Sequence, residues 1–175
     1  MKPRLLIAGI GNIFFGDDAF GSEVARELMK RSWPDGVRVD DFGIRSYDLA
    51  YALMDGIDAI FLDVVSRGEK PGTLYLIELD PAPAATDGEI PDGHGLNPVR
   101  VLQMVRSLDG KTGRLWLLGC EPGMLEDQEG AMGLSDPVQA AVPLAIKRLG
   151  SLVPDILAGK FPVESREPAA LKEVS

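Results

Sequence analysis

Apolar and polar positions along the chain fall into short buried runs separated by helical stripes. Residues 4–9 (RLLIAG) form an apolar run that stops at glycine, as a strand covered on both faces does. Beyond it Phe20, Val24 and Leu28 recur at helical spacing, which predicts a helix over 18–31. Residues 37–42 (VRVDDF) alternate like a second strand, and 47–54 make a short helical stretch. The run 58–65 (DAIFLDVV) predicts a third strand, interrupted by a single acid, Asp63. After the turn Lys70-Pro71-Gly72, residues 73–79 (TLYLIEL) alternate as a further strand at the sheet edge. Residues 80–95, rich in Pro, Ala, Gly and Asp, have no period and read as a long loop. A helix is predicted over 96–108, with Asn97 as its cap ahead of Pro98. A buried strand over 114–120 (RLWLLGC) follows, then a last helix from a cap at Ser135 to Leu149.

Strands alternating with helices predict an α/β fold, a three-layer α/β/α sandwich around a mostly parallel twisted sheet of about five strands. One domain is expected over 1–160, with 161–175 a loose polar tail. In parallel sheets, sites form beyond the carboxyl ends of the strands, because those ends share one edge. That rule selects the loop 11–18, Asp40 and Asp41, Asp63, the loop 80–95, and Cys120 with Glu121.

Composition narrows the partners. A formal net charge of −9 argues against nucleic acid and anionic membranes, which need clustered Lys and Arg. No apolar run approaches the ~20 residues of a membrane span, and the run after MKPR is too short for a secretory leader. The lone cysteine, Cys120, excludes an intramolecular disulfide framework and suits a reducing compartment, so the cytoplasm is expected.

The stretch GIGNIFFGDDAFG, following the first strand, invites a nucleotide reading. Gly9 and Gly11 fit the dinucleotide fingerprint, and Asp40 or Asp41 mimics its ribose-binding acid, but Phe14 stands at the third glycine. Asp17 and Asp18 also open the helix where a pyrophosphate would need bare amides, and their charges repel it. The acids themselves are the stronger candidates. Helix capping accounts for one of the pair. Asp63, inside an otherwise buried run, needs compensation from amides, an ion partner or a metal. His94, the only histidine, lies between two glycines in the loop PDGHGLNP, either as an inert surface residue or free to swing into a site. Asp18, Asp63 and His94 together form an O,O,N set suited to a divalent transition metal.

Several ordered motifs then resemble the nickel–iron hydrogenase maturation endopeptidases. GIGNIFFGDDAFG is similar to that family's opening Gly-x-Gly-Asn segment with its paired acids, and IFLDVVSRGEKPGTL to its strand, Asp and Pro-Gly-Thr turn. HGLNPVRVL matches the histidine before a helix, and LWLLGCEPGMLE the late strand and Pro loop. The resemblance spans the chain to about Leu149. It implies removal of a C-terminal extension from a hydrogenase large-subunit precursor once nickel(II) is inserted. The metal would arrive with the substrate and be met by Asp18, Asp63 and His94, and the enzyme would be a monomer.

Asp18 stands where many members have Glu, one methylene longer. The segment DFGIRSYDL (41–49) replaces the family's commoner Asp-Gly-Gly-Thr type; it is expected to face the substrate, with Arg45 and Tyr47 either touching the precursor or facing solvent. Either a metal-polarised water or the carboxylates alone could cut, with Asp17 or Asp63 as general base. Three alternatives stay open: a thiol mechanism through Cys120, a nickel-dependent checkpoint that holds the precursor without cutting it, and a Rossmann-like nucleotide enzyme.

Overall fold

The computed structural model describes residues 2–81, 96–123, 133–161 and 164–169. Its elements are β1 (Leu5–Ile10), a 3-10 turn (Gly16–Ala19), α1 (Phe20–Met29), β2 (Val37–Gly43), α2 (Ser46–Leu53) and β3 (Asp58–Val64). They continue with β4 (Leu74–Asp80), α3 (Pro98–Ser107), β5 (Leu115–Cys120), α4 (Asp136–Leu157) and β6 (Ser165–Pro168). The strands form one sheet in the order β2-β1-β3-β5-β4-β6. β2, β1, β3 and β5 run parallel, β4 is antiparallel to β5, and β6 is parallel to β4.

The layers follow from side chains alternating across each strand. Leu5 and Ile7 of β1, with Ile60 and Leu62 of β3, join a core with Phe20, Val24 and Leu28 of α1 and Val138, Ala145 and Leu149 of α4. Leu6, Ala8 and Ile10, with Ala59 and Phe61, join the opposite core with Leu49 and Leu53 of α2 and Val101 and Leu102 of α3. Among the described residues two helices therefore cover each face, giving the expected three-layer α/β/α architecture. Among the described residues, no helix is long and apolar enough to cross a membrane.

Four details of the expectation change. The sheet has six strands among the described residues, not about five, and β4 lies between β5 and β6 rather than at the edge. The added strand, β6, comes from the stretch expected to be loose. Its sequence SREP has no apolar alternation to announce it, and it is held by pairing with β4 and by ion pairs of Glu167 with Arg67 and Arg166 with Glu78. The last helix does not stop at Leu149. Gly150 faces open space, and the buried stripe continues through Leu152, Val153 and Ile156.

Candidate active site

The site is built where β1 and β3 end. At Gly11 the chain leaves β1, and the Gly11 N–H donates to Gly43 O at 3.0 Å, tying this loop to the end of β2. A Cβ at Gly11 would stand 1.9 Å from Asp18 O, and one at Gly21 would stand 1.9 Å from Leu62 O and 2.2 Å from Ile10 O. Only glycine lets the 3-10 turn and the first turn of α1 sit this low on the strand ends. The glycines of the opening motif thus serve close helix–strand packing. The Asn12 N–H donates to Asp18 Oδ2 at 2.8 Å, so the loop turns an amide toward its own carboxylate instead of toward a phosphate. Asp41, which mimics a ribose-binding acid, accepts from Ser22 Oγ at 2.7 Å and from Arg26 Nε at 3.2 Å. It joins β2 to α1.

Asp17 and Asp18, adjacent in sequence, do different things. Successive residues of a 3-10 turn point about 120° apart, so the two carboxylates diverge. Asp18 is half-buried, with Oδ2 held by Asn12. Asp17 is fully buried. Its Oδ2 accepts from the Gly123 N–H and the Ser135 Oγ, both at 2.8 Å, and its Oδ1 accepts from the Ser135 N–H at 2.7 Å. Both of its oxygens are therefore spent on the loop after β5 and the start of α4. Ser135 precedes α4 as expected, but its hydroxyl turns to Asp17 instead of capping the helix.

Asp63, next to last in β3, is 1% exposed and accepts from the Val64 N–H through Oδ1 at 2.8 Å. By alternation it points to the side of the sheet covered by α2 and α3. The 3-10 turn carrying Asp18 packs on β3, so the two residues lie at one end of the sheet. His94 and most of the 80–95 loop lie outside the described residues. Leu96, where the described chain resumes, is buried in the core that holds Phe61 and Val65, the neighbours bracketing Asp63 on that face. Among the described residues, no three His, Cys, Asp or Glu side chains gather as a metal site. The two carboxylates offer oxygen donors of the kind a divalent metal accepts.

Glu121, selected by position only, has a structural task. Buried, it accepts from the Arg67 N–H at 2.8 Å, the Gly68 N–H at 3.0 Å and the Tyr75 hydroxyl at 2.8 Å, fixing the loop that follows Asp63. Burial and this carboxylate push the Tyr75 phenol up. Its sequence signal was an acid directly after a buried strand.

Cys120 is buried, and its thiol donates weakly to Glu121 O at 3.6 Å. Burial first, then the Asp17 and Glu121 charges, push it up to about 12. A neutral, buried thiol is a poor nucleophile. Cys120→Ser should process precursor within about twofold of wild type, and iodoacetamide should label the folded protein only on unfolding; a mass shift of the native protein on brief alkylation would contradict this. An unfolded thiol ionises near 9, so between pH 9 and about 12 the unfolded chain alone releases this proton. Wild type should therefore lose stability there relative to Cys120→Ala, as alkaline urea titrations would read.

The family model for hydrogenase maturation proteases, HycI, matches residues 22–151. Hydrogenase expression/formation protein HupD of Rhizobium leguminosarum is 32% identical over 146 residues, covering 83% of this chain and 71% of that protein. Hydrogenase 2 maturation protease of Escherichia coli is 29% identical over 148 residues, covering 83% of this chain and 88% of that protein. The solved structure of the E. coli hydrogenase maturating endopeptidase HybD superposes with a TM-score of 0.69 at 28% identity, over 89% of this chain and 94% of that one.

Proposed function

Because the chain belongs to the hydrogenase maturation protease family, we propose that it removes the C-terminal extension of a nickel-loaded large-subunit precursor of a nickel–iron hydrogenase. The observation that supports the site is the seating of Gly21 on Leu62 and Ile10, which keeps the Asp18 turn beside the end of β3 and Asp63.

Nickel belongs to the substrate in this reading, and Asp18, Asp63 and His94 are the residues that would meet it. When present, the ion would mark the finished precursor and polarise the groups around it. The chain's own contribution begins with orientation. A backbone amide pins one oxygen of each carboxylate, Asn12 for Asp18 and Val64 for Asp63, so neither side chain swings freely. A carboxylate at this rim takes a proton from water as the water oxygen attacks the scissile carbonyl. The proton then passes to the leaving amine, and the peptide bond breaks with charge balanced. Asp17 supports the turn from behind and takes no part in proton transfer. A monomer working in the cytoplasm belongs to the same proposal.

Precursor mass is the direct test. Nickel-loaded precursor should lose its C-terminal extension with wild type, and neither nickel-free precursor nor the His94→Ala variant should give that product. Stable binding with unchanged mass would instead favour the checkpoint reading.

A further inference from the structure

β2 is an edge strand, and α2 runs beside it. Between them lies an open groove of about 400 Å³, lined by Arg38, Asp40 and Phe42 on alternate positions of β2 and by Arg45, Asp48 and Tyr51 from the α2 side. The Leu5 N–H donates to Gly36 O, which sets the phase of the parallel ladder. That phase turns the backbone groups of Arg38 and Asp40 toward β1 and those of Val37, Val39 and Asp41 outward. The Val37 N–H is taken by Pro34 O, and Asp41 O by the Arg45 guanidinium. Among the described residues, Val37 O, both groups of Val39 and the Asp41 N–H remain along the edge.

We propose that this edge and groove hold an extended segment of the precursor, its C-terminal extension, as an added strand. The inference rests on the protease reading and says where the part to be released lies. An edge with outward N–H and C=O groups beside a helix is the geometry in which an extended peptide adds to a sheet, backbone bonds giving affinity and flanking pockets reading alternate side chains. The charges agree with backbone recognition. Arg38 pairs with Asp40 and Arg45 with Asp48, so the four cancel within the groove and leave no charge to select a partner. Tyr51, 60% exposed, supplies an apolar flank to the groove, which the largely buried Phe42 also lines.

Continuity with the rim names the occupant. β2 ends at Gly43, whose carbonyl accepts from Gly11 in the loop that carries Asp18. Antiparallel pairing, the more stable kind, makes the added chain run from Gly43 toward Val37. A peptide bond positioned at the rim then has its downstream residues along β2. Those residues are the extension.

The test pairs two variants with an exchange measurement. Val39→Pro removes one outward N–H at an edge position where proline does not break the β1 ladder. Tyr51→Ala removes an exposed flank and leaves the core untouched. With nickel-loaded precursor, each should raise KM about threefold to tenfold with kcat nearly unchanged, the size of one lost hydrogen bond or one apolar contact. Separately, a synthetic peptide with the sequence of the extension, at millimolar concentration, should slow amide exchange at Val39 and Asp41 and leave that of β5 unaltered. Wild-type KM in both variants, or unchanged exchange at Val39 and Asp41, overturns the inference while wild-type cleavage keeps the protease reading. If wild type does not cleave, the peptide measurement still decides the groove by itself.

Discussion

Asp63→Asn should abolish precursor processing while the protein stays folded. The replacement keeps the size of a side chain that is 1% exposed and keeps an oxygen for the Val64 amide. It removes the charge, and with it the capacity to accept a proton or grip a cation. Loss of a general base alone costs about 10²–10⁴-fold in rate, so the mass assay should show no truncated product over hours. Stability should hold, because the amide fills the same space and keeps the Val64 contact. Urea denaturation with an unchanged midpoint, beside an uncut precursor, is the expected pair of results. Wild-type cleavage by this variant would remove Asp63 from the chemistry.

Asp17→Ala should do the reverse. The change strips a buried acceptor from two backbone N–H groups and one hydroxyl. Each buried donor left without a partner costs about 1–3 kcal/mol, and the Ser135 hydroxyl can turn elsewhere, so the expected loss is about 3–5 kcal/mol. For a chain of this size that corresponds to a melting temperature lower by about 10 °C. Cleavage per folded molecule, measured well below the melting point, should fall far less than in Asp63→Asn. A stable but inactive Asp17→Ala would instead place Asp17 among the groups that touch substrate.

These opposite expectations for acids at one end of the sheet mark what the sequence could say. The strands β1, β3 and β5 were legible as apolar runs because both their faces are covered. Asn97 was legible as a cap because its partner, the Val99 N–H at 2.9 Å, is two residues away. Asp17 was not. Its partners are 106 and 118 residues away, and local pattern offers only capping for such an acid. β6 escaped because an exposed edge strand of SREP is specified by its ion pairs and its neighbour, not by its own hydropathy. The position of Asp63 was readable as a charge in an apolar run, whereas its nearness to the Asp18 turn depends on how low Gly21 lets α1 sit. The family likeness joined these pieces from motifs in order, and the matching family model covers Asp63 and His94 while beginning after Asp18.

The short strand β6 has a consequence for handling the protein. It shields the outer side of β4, where Leu76, Ile77 and Leu79 are buried and Glu78 meets Arg166. Truncation before residue 164 would bare a seven-residue strand ready to pair with any neighbouring chain. Preparations shortened there should self-associate as concentration rises.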